Sequence, residues 1–146
     1  MRYTEKYLAR WRHLSGEEKI TFLKAALCLI VVKVSLIILP FSTFRKFFHW
    51  FCKTATTQDL SQKKIATTVW AVDTAANLLP FSLLCLPRAL TAKYLLRKLP
   101  SLTLEIGVEI NPSKAFEAHA WVERNGSVII GDWSGSVSYQ RLWVWE

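Results

Sequence analysis

The sequence predicts an α+β domain, with N-terminal helices packed on a C-terminal antiparallel β-sheet. Three observations predict it. Up to about residue 100, apolar residues recur at steps of three and four, the spacing of a helix face. From residue 102 the period becomes two: Leu102, Leu104, Ile106, Val108 and Ile110 alternate with Thr103, Glu105, Gly107 and Glu109, the pattern of a half-buried strand. Helices and strands are segregated along the chain with no βαβ alternation, so the strands are expected to pair antiparallel. The expected organisation is a single domain over 1–146, helical over 1–100 and sheet over 101–146, because 146 residues suffice for one core.

The elements follow in order. Residues 1–14 are charged and aromatic, and no apolar stretch with a small-residue cleavage site follows them, so no signal peptide is expected. Ser15-Gly16-Glu17-Glu18 is a capping box: the Ser hydroxyl accepts from an early backbone N–H while Glu18 reaches back to the Ser15 N–H. A helix should start there and run to Pro40. Residues 25–39 are apolar except for Lys33 and Ser35. A membrane span needs about 20 apolar residues, so the expectation is a helix buried on most sides, with an interfacial helix as the alternative. Phe44, Phe47, Phe48 and Phe51 have helical spacing and are expected to pack.

Ile65, Val69, Val72 and Ala76 repeat at 4, 3 and 4, which predicts a helix over 62–79 with one apolar stripe and with Asp73 solvated or paired. The next helix opens at "CLPRALTAKYLLRKL". Pro87 fits its first turn, Arg97 and Lys98 suit its C-terminal end, and Pro100 closes it. Asn125-Gly126 between two apolar runs is the strongest short-range hairpin signal. With those two as loop residues, Arg124 pairs with Ser127 and each later pair of numbers sums to 251. Glu123 then faces Val128, Val122 faces Ile129, Trp121 faces Ile130, Ala120 faces Gly131, and His119 faces Asp132. A last strand or two is expected in "SVSYQRLWVWE", with Trp143 and Trp145 on one face.

Charge and cysteine usage narrow the class. The net charge is +8 and uneven: residues 1–73 carry 12 Lys/Arg against 5 Asp/Glu, residues 74–146 carry 7 against 6. The basic half reads either as a solvated face or as a docking surface for an acidic peptide, a partner protein, a nucleotide or an anionic membrane. No finger spacing or RNA-binding aromatic signature is present, so nucleic acid is not expected. The three cysteines, Cys28, Cys52 and Cys85, are an odd number without metal spacing, which points to a reducing cytosol and no disulfide framework. His49 and Cys52 are i, i+3 neighbours, but two ligands do not make a metal site.

The chemistry lies in three residues. An imidazole opposite a carboxylate, His119 with Asp132, is the arrangement that fixes a His tautomer and stabilises its imidazolium. Alone it reads as a structural pair at a sheet edge. Cys85 sits where a helix begins, and the free N–H groups and dipole there favour a thiolate and can form an oxyanion hole. Alone it reads as a core cysteine between Leu84 and Leu86. Cys at a helix start, then a strand His, then a cross-strand Asp, is the layout of papain-like and transglutaminase-like catalysts.

"CLPRAL" at 85–90, "LEIGV" at 104–108, and "AHAWVE" at 118–123 followed by Gly126 and Asp132 resemble the peptidase half of the lasso-peptide biosynthesis B protein, of the transglutaminase-like superfamily. Pro100 stands near where that pattern ends the Cys helix with a glycine. The resemblance implies a transglutaminase-like core and a cysteine protease that removes the leader from a ribosomally made precursor peptide, with Cys85 as nucleophile, His119 as base and Asp132 orienting it. It implies three partners: the precursor peptide of leader plus core, a separate leader-recognition protein, and an asparagine-synthetase-like lasso cyclase. A leader-recognition domain is not expected in this chain, because about 80 residues would be needed in front of the first helix. ATP dependence belongs to the resemblance too, but no Gly-rich phosphate loop or Walker pattern is present, so no nucleotide site is assigned. Two alternatives stand: a transamidase on the same triad, and a non-catalytic interaction module binding through its basic half.

Overall fold

The computed structural model describes residues 2–53, 56–109, 117–133 and 139–146. Its helices are α1 (Arg2–His13), α2 (Gly16–Ile38), α3 (Phe41–Cys52), α4 (Gln62–Leu78) and α5 (Cys85–Leu95). Its strands are β1 (Leu102–Glu109), β2 (Ala118–Arg124), β3 (Ser127–Ile130) and β4 (Tyr139–Trp145). They form one antiparallel sheet in the order β3-β2-β1-β4. The α+β class is as the sequence predicts. Ile110, the Asn111-Pro112 loop and the segment before Tyr139 lie outside the described residues.

The capping box at the start of α2 forms: Ser15 Oγ accepts from the Glu18 N–H at 3.2 Å and Glu18 Oε2 accepts from the Ser15 N–H at 2.7 Å. α5 is the central helix, packing on α2 and α4 and on strands β1 to β3. Leu29, Leu90, Leu104 and Val122 are fully buried between the helices and the sheet, each contributing about 1.5–3 kcal/mol. Buried Phe48 meets Trp145 edge-on at 5.0 Å, which ties α3 to β4.

Several expectations are corrected. α1 precedes the capping box with no sequence signal of its own; its Trp11 ring meets Phe22 of α2 at 5.3 Å. α2 is not buried on most sides. Only Ala25, Leu29 and Val32 are buried, because α4 and α5 cover one side and no described element covers the opposite one. Of the four spaced phenylalanines, Phe44 and Phe48 pack while Phe47 and Phe51 are exposed. α5 stops at Leu95, and a tight turn tucks Leu96 and Leu99 into the core instead of extending the helix to Pro100. β1 is covered on both faces: Glu105 and Gly107 are buried along with Leu102 and Leu104, because side chains of β2 and β4 fold over the polar face.

The hairpin register is the correction that touches the site. Asn125 (φ 51°) and Gly126 (φ 79°) take the left-handed conformations of a type I′ turn, and Arg124↔Ser127 and Glu123↔Val128 pair as expected. The ladder then shifts, so that Val122 faces Ile130 and Ile129 is the extra residue. A bulge of this kind re-aims everything beyond it. β3 ends at Ile130, and His119 and Asp132 are not direct cross-strand partners.

Candidate active site

Cys85 is the first residue of α5, and its thiol is half-buried. The N-cap is Leu84, whose side chain offers no cap hydrogen bond, so the free N–H groups of the first turn are not taken up by a capping side chain. The approach to this helix start is held by Arg88. Its Nε donates to the Leu83 carbonyl at 2.9 Å, Nη1 to Asp73 Oδ1 at 3.2 Å and Nη2 to Asn77 Oδ1 at 2.8 Å. One guanidinium thus joins α4 to the segment that delivers Cys85. The expectation that Asp73 is solvated or paired resolves as paired.

His119 is the second residue of β2. Its Nε2 lies 2.6 Å from the Gly131 carbonyl oxygen. A carbonyl only accepts, so Nε2 carries the proton and, in the neutral ring, Nδ1 carries the lone pair. Gly131 is required there. Its φ is +88°, and a Cβ would lie 2.8 Å from the Ala120 carbonyl oxygen and 2.9 Å from Trp121 Cβ. The expected orienting group was the Asp132 carboxylate; the backbone one residue earlier does that job. Asp132 is exposed, and its Oδ1 accepts from the Trp133 N–H at 2.9 Å.

Aromatic rings fix the imidazole on its other sides. Tyr139 stacks on it with centroids 5.0 Å apart, Trp121 lies at 5.9 Å and near-parallel, and Trp133 meets it edge-on at 5.9 Å. Trp121 is fully buried and anchored by its Nε1–H to Glu123 Oε1 at 2.7 Å. Glu123 also takes Arg141 Nη2 at 2.7 Å, and Arg141 Nε lies 3.4 Å from Glu105 Oε2. Gly107 leaves room for the Trp121 ring: a Cβ there would lie 2.9 Å from its Cη2. Burial among these rings pushes the Tyr139 phenol above its ordinary value, reinforced by the negative charges of Glu117, Glu109 and a Cys85 thiolate.

Cys85, His119, Gly131 and Asp132 line one open cleft of about 550 Å³, together with Asp73 and Arg88. It lies where α5 begins, β2 begins and β3 ends. All three residues singled out from the sequence therefore reach the same cleft, although the His–Asp contact within it differs from expectation. A larger cleft of about 730 Å³ holds a second thiol and imidazole, Cys52 and His49, with Lys93 and Arg97. Cys52 ends α3, at the negative end of the helix dipole, and burial pushes its thiol up to about 12. A thiol so held is a poor nucleophile. Among the described residues no group of three or more His, Cys, Asp and Glu comes together as a metal site.

Sequence reading missed three contributors. Gly131 carried a signal, since an isolated glycine in a strand pattern marks a bulge or a close approach. Arg88 lies in the "CLPRAL" segment one turn after Cys85, where its reach to α4 was open to inference. Nothing in the sequence marks Tyr139.

A thiol at a helix start and a tautomer-fixed imidazole in one cleft, on helices followed by an antiparallel sheet, define a class of cysteine-dependent acyl-transfer catalysts. Comparison of the sequence with known families agrees: residues 26–144 match the family described as "Transglutaminase-like superfamily". The chain belongs to that superfamily, whose members are typically cysteine peptidases or transglutaminases. No curated protein and no solved structure matches the chain.

Proposed function

We propose that this protein is a cysteine peptidase that removes the leader from a lasso-peptide precursor. The observation that carries the proposal is the convergence of Cys85 and a Gly131-oriented His119 on one open cleft. The Cys85 thiolate attacks the scissile carbonyl, and the oxyanion is met by N–H groups of the first turn of α5. Imidazolium at His119 gives its proton to the departing amine, leaving a thioester on Cys85. A water then gives a proton to Nδ1 and attacks the thioester, which releases the new carboxylate and restores the thiol. Asp132 adds a carboxylate to the cleft. The choice of a lasso-peptide precursor as substrate rests on the resemblance of the "CLPRAL", "LEIGV" and "AHAWVE" segments. A leader-recognition protein and a lasso cyclase would be its partners.

The test is mass spectrometry of a precursor peptide incubated with the protein, with and without a leader-binding partner. Release of the leader as a free carboxylate, lost in Cys85→Ala, supports the reading. A product joined through a Gln side chain to an amine would assign the transamidase alternative instead. No acyl chemistry on any precursor, together with no excess reactivity of Cys85, would leave the interaction-module alternative.

A further inference from the structure

The apolar surface of α2 is not used by the fold or by the cleft. Ile20, Leu23, Leu27, Val31, Val34 and Ile38 recur at steps of three and four and are all between 46% and 70% exposed. At a rise of 1.5 Å per residue this stripe is about 27 Å long. The opposite side of α2 is committed to the core through Ala25, Leu29 and Val32. α3 starts at Phe41, three residues after α2 ends, and exposes Phe47, Trp50 and Phe51. Contiguous exposed apolar surface of this extent marks an interaction site.

Charge selects the occupant. Residues 19–53 carry six Lys/Arg and no Asp or Glu. At 100° per residue, Lys19 and Lys24 fall on opposite margins of the α2 stripe. A second copy laid on this face would set the basic run of residues 19–53 against itself, with Glu17 and Glu18 at the start of α2 as the only carboxylates of α2 and α3. An anionic bilayer surface complements both features. Its acyl region takes the stripe, the lysine stems lie along apolar surface, and their ammonium groups reach the headgroups. Exposed tryptophan and phenylalanine suit the same interface. α2 is long and apolar enough to cross a membrane, but its packing against α4 and α5 holds it along the surface of the domain.

We propose that the α2 stripe, flanked by Lys19 and Lys24, docks this protein in the plane of an anionic lipid surface. Docking leaves the Cys85 cleft out of the contact, since none of its lining residues belongs to α2 or α3.

The test is cosedimentation of the full chain with vesicles of equal parts phosphatidylglycerol and phosphatidylcholine, and with phosphatidylcholine alone. Binding should favour the anionic vesicles and weaken with salt. Leu27→Glu with Val34→Glu should lower binding about tenfold or more without lowering the melting temperature, because both positions are exposed. Lys19→Glu with Lys24→Glu leaves the stripe intact and should remove the preference for anionic vesicles. No uptake by anionic vesicles, or equal uptake of wild type and the Leu27/Val34 variant, would overturn the proposal. So would a dimer, detected by light scattering, that the Leu27/Val34 variant dissolves while vesicles bind neither protein.

Discussion

The Nε2 of His119 lies 2.6 Å from the carbonyl oxygen of Gly131, and that contact sets which ring nitrogen is free to take a proton. It depends on a left-handed residue packed against Ala120 and Trp121. Gly131→Ala puts a side chain on a backbone at φ +88° and drives its Cβ to within 2.8 Å of the Ala120 carbonyl. The expected outcome is a loss of about 1–3 kcal/mol in stability and a larger proportional loss of turnover. Asp132→Ala keeps the carbonyl in place, so its turnover should exceed that of Gly131→Ala. Thermal melts and a leader-release time course on both variants check this ranking.

Alkylation should discriminate the three thiols. Burial raises the Cys28 thiol above its ordinary value and pushes Cys52 up to about 12, so both stay protonated near neutral pH. Limited iodoacetamide treatment at neutral pH should therefore label Cys85 before either of them, as read by peptide mapping. Equal labelling of Cys52 and Cys85 would count against the assignment of the nucleophile.

The Arg88 clamp separates positioning from charge pairing. Arg88→Ala removes the bond to the Leu83 carbonyl and both side-chain bonds, at a cost of about 1–2 kcal/mol, and should lower turnover by loosening the start of α5. Asp73→Asn removes only a part-exposed ion pair, worth about 0–1 kcal/mol. Comparing the two variants shows whether the tie to the chain before Cys85, or the charge on Asp73, matters for catalysis.

Much of this arrangement could be read from local chemistry. The Ser15–Glu18 box, the Asn125-Gly126 turn and Cys85 at a helix start each follow from backbone requirements contained in a few adjacent residues. The bulge does not. Ile129 and Ile130 are both apolar, so either can face the core, and the pattern "SVII" leaves the register open beyond Val128. That one-residue shift is what separates Asp132 from His119. Alternation places Glu105 on a polar face and cannot see that Trp121 and Arg141 close over it. The exposed side of α2 was equally illegible: an apolar run looks the same whether a neighbouring helix covers it or nothing in the domain does.

The Glu105–Arg141–Glu123 network supports the site from behind. Glu105 and Glu123 are 3% and 7% exposed, and Arg141 is the cation that reaches both. Removing it leaves two buried carboxylates without their charge partner, which costs about 2–4 kcal/mol, with the half-exposed guanidinium favouring the lower end. Arg141→Ala should melt earlier than wild type. Arg141→Lys should recover only part of the loss, because an ammonium cannot fork between two carboxylates.

Alkaline pH should unfold the protein earlier than its carboxylate chemistry suggests. Cys52 rises from 9.0 to about 12 on folding, chiefly by burial. Below pH 9 it is a neutral thiol in both states and contributes no pH dependence. Above pH 9 the unfolded thiol loses its proton while the folded one keeps it, so stability falls by up to about 1.4 kcal/mol per pH unit until the folded thiol also ionises. Cys28 and Tyr139 are raised as well and act in the same direction. Lys93 opposes them. Its burial lowers the ammonium from 10.5, so the unfolded state binds more protons in that window and stability rises with pH there. Its Nζ donates to the Leu102 carbonyl at 2.6 Å in either protonation state. The Cys52 rise is the large one, so a net loss above pH 9 is expected. Denaturant melts from pH 7 to pH 11 should show that fall. Cys52→Ala should flatten it, and Lys93→Met should steepen it by removing the compensating lysine. A stability curve that stays level to pH 11 in wild type and in Cys52→Ala would show that the Cys52 thiol is not held protonated by the fold.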